Sequence, residues 1–155
     1  MKLVRRSALV LAAGAVLAVV AVRSSQAATI AQLQNFYRGT AFSRSNTVNE
    51  LHQVTLEITG RVADRFSAIA TLRTGAAGET PIRVIGTGRV GTNGKVGFTG
   101  RGTITGDTDI RVNHDGQLSA TGRAIHGTLN VRGILRGQRV DERADHSLLA
   151  ETPAG

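Results

Sequence analysis

The chain has 155 residues, enough for one domain with a single core, and a formal net charge of +8. Four cations, Lys2, Arg5, Arg6 and Arg23, lie in the amino-terminal segment, so the remainder carries only +4. This mild basicity argues against a nucleic-acid partner. Because the sequence contains no cysteine, it excludes disulfides, thiol nucleophiles, zinc–thiolate sites and a lipobox lipid anchor.

The amino terminus has the pattern of an export signal. A basic start is followed by an apolar run over residues 8–22 and by Ser25-Gln26-Ala27, which fits a small-residue cleavage site. The run is shorter than the roughly 20 residues that span a bilayer, although an uncleaved anchor is the alternative. We therefore predict a signal peptide over 1–27 and a periplasmic or secreted protein without a transmembrane segment after cleavage.

The rest of the chain alternates apolar and polar residues between glycine-rich turn signals, which is typical of antiparallel strands joined by tight turns. Asn93-Gly94, Gly106-Asp107 and Asp115-Gly116 supply the positive φ that hairpin turns need. The pattern predicts eight strands: 36–43, 51–62, 66–73, 81–90, 95–105, 108–113, 117–126 and 128–140.

This spacing predicts an all-β domain over 28–140, a single antiparallel meander that forms a small barrel or sandwich. Residues 28–35 fit a short helix. Residues 141–155 lack clear alternation and are expected to form a flexible tail. A β-solenoid is the alternative, because the stretch 106–137 resembles the glycine-punctuated strands of autotransporter passengers and bactofilins.

The tripeptide Thr-Gly-Arg occurs four times, at 59–61, 87–89, 99–101 and 121–123, each within a predicted strand. Alternation puts the glycines on the apolar face, with Leu56, Ile58, Gly60 and Val62 together on one strand. Small residues are expected to face inward at Gly86, Gly88, Gly100, Gly102, Ala120, Gly122, Ala124 and Gly133. They either leave space for a ligand or let the walls of the fold pack tightly.

No residue set predicts catalysis, a cofactor or a metal. The histidines at 52, 114, 126 and 146 are scattered, which favours surface or strand-end positions. The Gly-x-Gly at 86–88 lies in a predicted strand and precedes no helix, so it does not indicate a phosphate-binding loop. We expect a protein that is not an enzyme, while a site assembled from distant residues is an open alternative.

The arginines suggest one binding surface, since they alternate with the apolar positions of their strands and are interleaved with threonines. The candidates are Arg61, Arg83, Arg89, Arg101, Arg111, Arg123 and Arg132. Guanidinium groups pair with carboxylate or phosphate, which suggests an anionic polysaccharide or another envelope component as partner, although solvent-facing arginines explain the pattern too. The second reading is a small-ligand carrier that resembles lipocalins or avidins, without the tryptophans of a biotin pocket. Oligomeric state is left open.

Overall fold

The computed structural model describes residues 28–44, 49–73, 78, 80–104 and 106–152. A short 3-10 helix, Ile30–Gln32, precedes the strands. These are β1 (Phe36–Arg44), β2 (Asn49–Val62), β3 (Arg65–Arg73), β4 (Ile82–Val90), β5 (Lys95–Ile104), β6 (Thr108–Leu118), β7 (Ala124–Leu135) and β8 (Gln138–Ala150). The predicted signal peptide lies outside the described residues, and within them no helix has the length and apolarity to cross a membrane.

The strands form a closed antiparallel barrel in chain order. Each strand pairs with the next, and β8 returns to pair with β1 from Tyr37↔Ala150 to Ser43↔Ala144. Each described strand therefore has a hydrogen-bonded neighbour on both sides. The prediction of an all-β fold is confirmed. Of the two predicted architectures, the structure is a barrel and not a sandwich. The solenoid alternative is not supported.

The carboxy-terminal third differs from the prediction. Asp115-Gly116 is not a turn, because Gly116 pairs with Val96 on one side and Gly127 on the other. The chain turns instead at 119–123, where Gly122 has φ 72°. The structure therefore replaces three predicted strands with β6, β7 and β8; the predicted ranges were 108–113, 117–126 and 128–140.

The flexible tail predicted over 141–155 is wrong for most of its length, because β8 runs to Ala150. Its apolar inward residues, Ala144 and Leu148, are buried, but they alternate with inward Glu142 and His146. Polar residues on the inner face hide the two-residue period from sequence inspection.

A register shift also breaks one predicted face. β2 is irregular between Ile58 and Gly60, so alternation does not continue beyond Ile58. Gly60 is exposed and Val62 is 79% exposed instead of facing the core. On β5 the predicted inward face is confirmed, since its even-numbered residues 96–102 are buried.

One end of the barrel is closed by the segment before β1. The hydroxyl of Tyr37, a fully buried residue, accepts from the Gln34 amide and donates to the Gly122 carbonyl, both at 2.8 Å. The Arg61 guanidinium donates to the Leu33 carbonyl at 2.9 Å. These bonds hold buried Leu33 over the barrel mouth, which we call the capped end.

Candidate functional site

Two histidines face each other inside the barrel. His114 on β6 and His146 on β8 are 9% and 6% exposed, and their ring centroids lie 4.6 Å apart with the planes tilted by 44°. The sequence-based expectation of surface or strand-end positions is wrong for both. The sequence did contain a signal for burial, because His114 lies two residues from inward Val112 and His146 lies two residues from inward Leu148.

Hydrogen bonding leaves most of the pair's nitrogens without a partner. The His114 ring bonds to the backbone of Val96, while its Nε2 has no partner. Neither Nδ1 nor Nε2 of His146 has one. Buried polar groups are nearly always hydrogen-bonded in native proteins, so three such nitrogens together require an explanation.

Burial keeps both rings neutral. Loss of solvation lowers the pKa of His114 to about 4, against a smaller opposing effect of the bond to Val96. Loss of solvation, together with repulsion from His114 and His126, lowers the pKa of His146 to about 3. Each ring near neutral pH therefore offers one N–H donor and one lone-pair acceptor.

A small cavity adjoins the pair. It measures about 20 Å³, and its walls are Val54, Leu56, Ala70, Leu72, Phe98, Val112, His114, Leu129, His146 and Leu148. A volume of roughly 10–15 Å³ is enough for one water, so the cavity admits a single water-sized group, and its wall is entirely apolar. Leu72 is the one lining residue that is only partly buried.

Elsewhere the small inward residues serve packing. A Cβ on Gly88 would run into the Phe66 ring, and a Cβ on Gly100 would lie 2.7 Å from Val84 Cγ1. Phe66 itself stacks in parallel with Phe98, with centroids 6.4 Å apart. Of the predicted inward set, Ala120 is wrong, because it is exposed in the 119–123 turn. At Gly88 and Gly100 the missing side chain therefore accommodates a neighbouring core residue instead of a ligand.

The predicted arginines are all exposed, but they do not form one free surface. Arg89 pairs with Asp64, Arg101 with Asp109 at 2.6 Å and Arg132 with Asp141 at 2.9 Å. The paired guanidinium groups lower the pKa of Asp64 and Asp109.

The remaining candidate arginines are placed differently. Arg61 caps the barrel mouth, and Arg123 lies in a turn rather than a strand. Arg83 and Arg111 are on strands, and neither has a carboxylate partner among the described residues.

A shallow groove crosses the outer wall near the capped end. It encloses about 680 Å³, and its lining includes Arg61, Arg65 and Arg89, the hydroxyl residues Ser67, Thr87 and Thr99, and the core residues Phe66, Phe98 and His114. Arg65 lies directly opposite Arg89 across β3 and β4, and Thr87 lies opposite Thr99. Sequence reasoning missed Arg65, whose strand was predicted to begin one residue later.

Fold and site together define an eight-stranded up-and-down β-barrel with a neutral histidine pair in its interior. Among the described residues no three histidine, aspartate or glutamate side chains cluster as a metal site would require. No protein-family model and no curated protein matches the sequence.

The fold is similar to that of a solved structure. That structure is of EF1p2_mFAP2b bound to DFHBI, with a TM-score of 0.62 and 13% sequence identity. The match covers 82% of this chain and 98% of that one. At this identity the likeness shows the fold alone.

Proposed function

We propose that the protein is an exported, non-catalytic binding barrel that takes a small, mostly apolar ligand against His114 and His146. The observation that carries this proposal is the set of three buried imidazole nitrogens without a partner, on two residues whose apolar ring atoms line a cavity. The fold likeness to a barrel whose structure includes DFHBI is consistent with it.

Energetics favour a binding role over a purely structural one. An unsatisfied buried polar group costs about 1–3 kcal/mol, and a leucine at either position would fill the same region without that cost. The other wall residues of the cavity are apolar, so nothing else in the wall compensates the rings. A polar group brought within hydrogen-bonding reach of these nitrogens on binding would reduce the penalty.

The distribution of buried residues suggests the end of the barrel at which the ligand enters. Near the capped end, Leu33 and Leu118 are at most 4% exposed, while Ile30 and Ala150 there are partly buried. At the opposite end, Leu72, Ile104 and Val131 pack on the core but are only partly buried. We propose that the ligand enters there and displaces Leu72, the partly buried wall residue of the cavity.

The test is binding of environment-sensitive apolar dyes to residues 28–155, followed by fluorescence titration. Ala70→Val should weaken binding by about tenfold or more, because it adds two methyl groups to the cavity wall. The matched control is Ser67→Val, on the outer face of the same strand, which should bind as the parent does. Failure of the whole dye panel to bind, or equal binding by Ala70→Val, would refute the interior site.

A second candidate function uses the outer groove. Arginines that lie directly opposite one another repel, and Asp64 offsets only one of the pair Arg65 and Arg89. The groove therefore suits an anionic ligand such as an acidic polysaccharide of the cell envelope, with hydroxyl groups available from Thr87 and Thr99.

Retention on an immobilised acidic polysaccharide tests this second candidate. The double variant Arg65→Gln, Arg89→Gln should elute at clearly lower salt than the parent. The control, Arg139→Gln with Arg143→Gln on exposed positions of β8, removes the same charge elsewhere. Equal loss in both variants would show that net charge alone, and not the groove, controls retention.

A further inference from the structure

We infer that the outer face of β5, β6 and β7 is a second contact surface for an acidic polysaccharide, with arginines for its carboxylates and side-chain amides for its sugar hydroxyls. This inference rests on the second candidate function for the class of ligand. It adds a surface on other strands and a reason for selecting a sugar over any other polyanion.

Three arginines face one another on this outer face. Arg101 of β5 lies directly opposite Arg111 of β6, and Arg111 lies directly opposite Arg132 of β7. All three side chains are exposed. Like charges that lie directly opposite in an antiparallel sheet are destabilising, so this arginine row does not serve the stability of the barrel.

Nearby carboxylates neutralise only the two ends of the arginine row. The Arg101 guanidinium donates two hydrogen bonds to Asp109, at 2.8 and 2.6 Å, and Arg132 donates one to Asp141 at 2.9 Å. Arg111, between them, forms no ion pair within the described part of the chain. A carboxylate on a ligand can therefore pair with the middle of the row.

A row of uncharged polar side chains runs beside the arginines, two residues along each strand. Thr99 of β5 lies opposite Asn113 of β6, and Asn113 lies opposite Asn130 of β7. Both asparagines are half-buried and lie near the middle of their strands, where asparagine is disfavoured. This polar row is thus a second feature of the same three strands that does not favour the sheet.

Hydrogen bonding within the barrel leaves most of the polar row available. The Thr99 hydroxyl donates to Oδ1 of Asn113 at 3.1 Å, and this is the one side-chain hydrogen bond that the described residues give to the row. The amide N–H groups of Asn113 and Asn130 therefore remain free to donate to a ligand.

The two rows together match the chemistry of an acidic sugar. A guanidinium group pairs with a carboxylate through parallel N–H···O bonds. A side-chain amide both donates and accepts, as a sugar hydroxyl does. Neighbouring strands lie about 4.8 Å apart, so each row repeats its contacts at a distance similar to the length of one sugar unit.

The surface is continuous with the groove. Thr99 lines the groove and lies opposite Thr87 on β4, and it is also the first member of the polar row. A polysaccharide bound in the groove can therefore continue across Asn113 to Asn130. A polyanion without hydroxyl groups would use the arginines alone.

Two polymers with one carboxylate per unit test the inference on residues 28–155. Polygalacturonate carries ring hydroxyls on each unit and polyglutamate carries none. Titration calorimetry at one fixed salt concentration should show that polygalacturonate binds about tenfold or more tightly, because the amides have partners only on the sugar. Equal affinity for the two polymers would overturn the inference.

The variant Asn113→Val, Asn130→Val should lose most of the preference for polygalacturonate. It should also raise the urea midpoint, because valine is favoured in strands where asparagine is not. A higher midpoint rules out unfolding as the cause of weaker binding. An undiminished preference in the folded variant would contradict the assignment of the polar row.

A single charge change tests the arginine row. Arg111→Gln should weaken binding of both polymers severalfold, whereas Arg73→Gln, at an exposed position of β3, removes the same charge and should weaken it less. Equal losses would show an effect of net charge alone and would overturn the arginine row.

The groove variant separates this inference from the second candidate function. If Arg65→Gln, Arg89→Gln weakens binding but Asn113→Val, Asn130→Val keeps the full preference for polygalacturonate, the groove stands and the second surface fails. If the parent binds neither polymer, the candidate function fails as well.

Discussion

His114 and His146 stand on β6 and β8, two strands apart, and their rings meet across a glycine. The residue of β7 that lies opposite His146 is Gly127, which also lies opposite Gly116 of β6. Because neither glycine has a side chain, the ring centroids approach to 4.6 Å in the interior. This contact between two neutral rings in an apolar core has direct consequences for stability.

Acid should destabilise the barrel through this pair. The folded-state pKa values, about 4 for His114 and about 3 for His146, lie below the ordinary value of 6.5, so the unfolded chain binds more protons. Stability is therefore full above pH 6.5 and decreases as the pH falls toward 3, by about 3 kcal/mol for His114 alone. Urea unfolding at pH 7, 5 and 4 measures the decrease. His146→Leu should reduce the decrease to the part due to His114, whereas exposed His126→Gln should leave it nearly unchanged; an equal decrease in both variants would contradict the assignment.

The capping hydroxyl should contribute measurably to stability. Tyr37→Phe removes the acceptor of the part-buried bond from the Gln34 amide and the donor of the buried bond to the Gly122 carbonyl. We expect a loss of about 1–3 kcal/mol in the free energy of unfolding. Thr99→Val is the control, since it removes an exposed hydroxyl bonded to Asn113. A loss for Tyr37→Phe no larger than that of the control would argue against the cap.

Two glycines on neighbouring strands should respond to alanine in opposite ways. A Cβ on Gly116 would lie 2.7 Å from both the His126 carbonyl oxygen and Nε2 of His114, whereas a Cβ on Gly97 would meet nothing within 4 Å. Gly116→Ala should therefore lower the urea midpoint by an amount equivalent to about 1–3 kcal/mol. Gly97→Ala should leave stability unchanged or raise it slightly, because alanine loses less backbone entropy. Similar midpoints for the two variants would contradict the packing described.

Adjacent leucines on β8 test whether this strand closes the barrel. Leu148 is 3% exposed and faces inward, and Leu149 is 58% exposed and faces outward. Leu148→Asp should abolish cooperative thermal unfolding, because it places an unpaired carboxyl group in the core. Leu149→Asp should leave the β-type circular dichroism spectrum and the midpoint close to those of the parent. Tolerance of both changes would indicate that residues 141–150 are a tail after all.

Export is a prediction from residues 1–27. Expression of the full chain in a bacterium should yield extracytoplasmic protein that begins at Ala28, because Ser25-Gln26-Ala27 fits a cleavage site. Intact mass spectrometry of the recovered protein measures this. A recovered mass that includes the first 27 residues would point to an uncleaved anchor instead.

The local pattern was enough to predict an all-β chain of about eight strands and most boundaries of the first five, because alternation and turn glycines act over a few residues. β5 illustrates this, since its alternation matches its burial residue by residue. The local pattern gave a wrong prediction where a glycine fits either a turn or a strand. In the sequence, Asp115-Gly116 has the pattern of a turn, but in the barrel Gly116 lies in a strand and accommodates the ring of His114.

Tertiary structure alone decided the last strand and the site. β8 carries Glu142 and His146 on its inner face, so only its pairing with β1 and β7 shows that it belongs to the barrel. The pairing of β6 and β8 with β7 likewise brings His114 next to His146 from 32 positions away in the chain. Which inward side chains meet depends on the register and closure of all eight strands, and no short stretch of sequence contains that information.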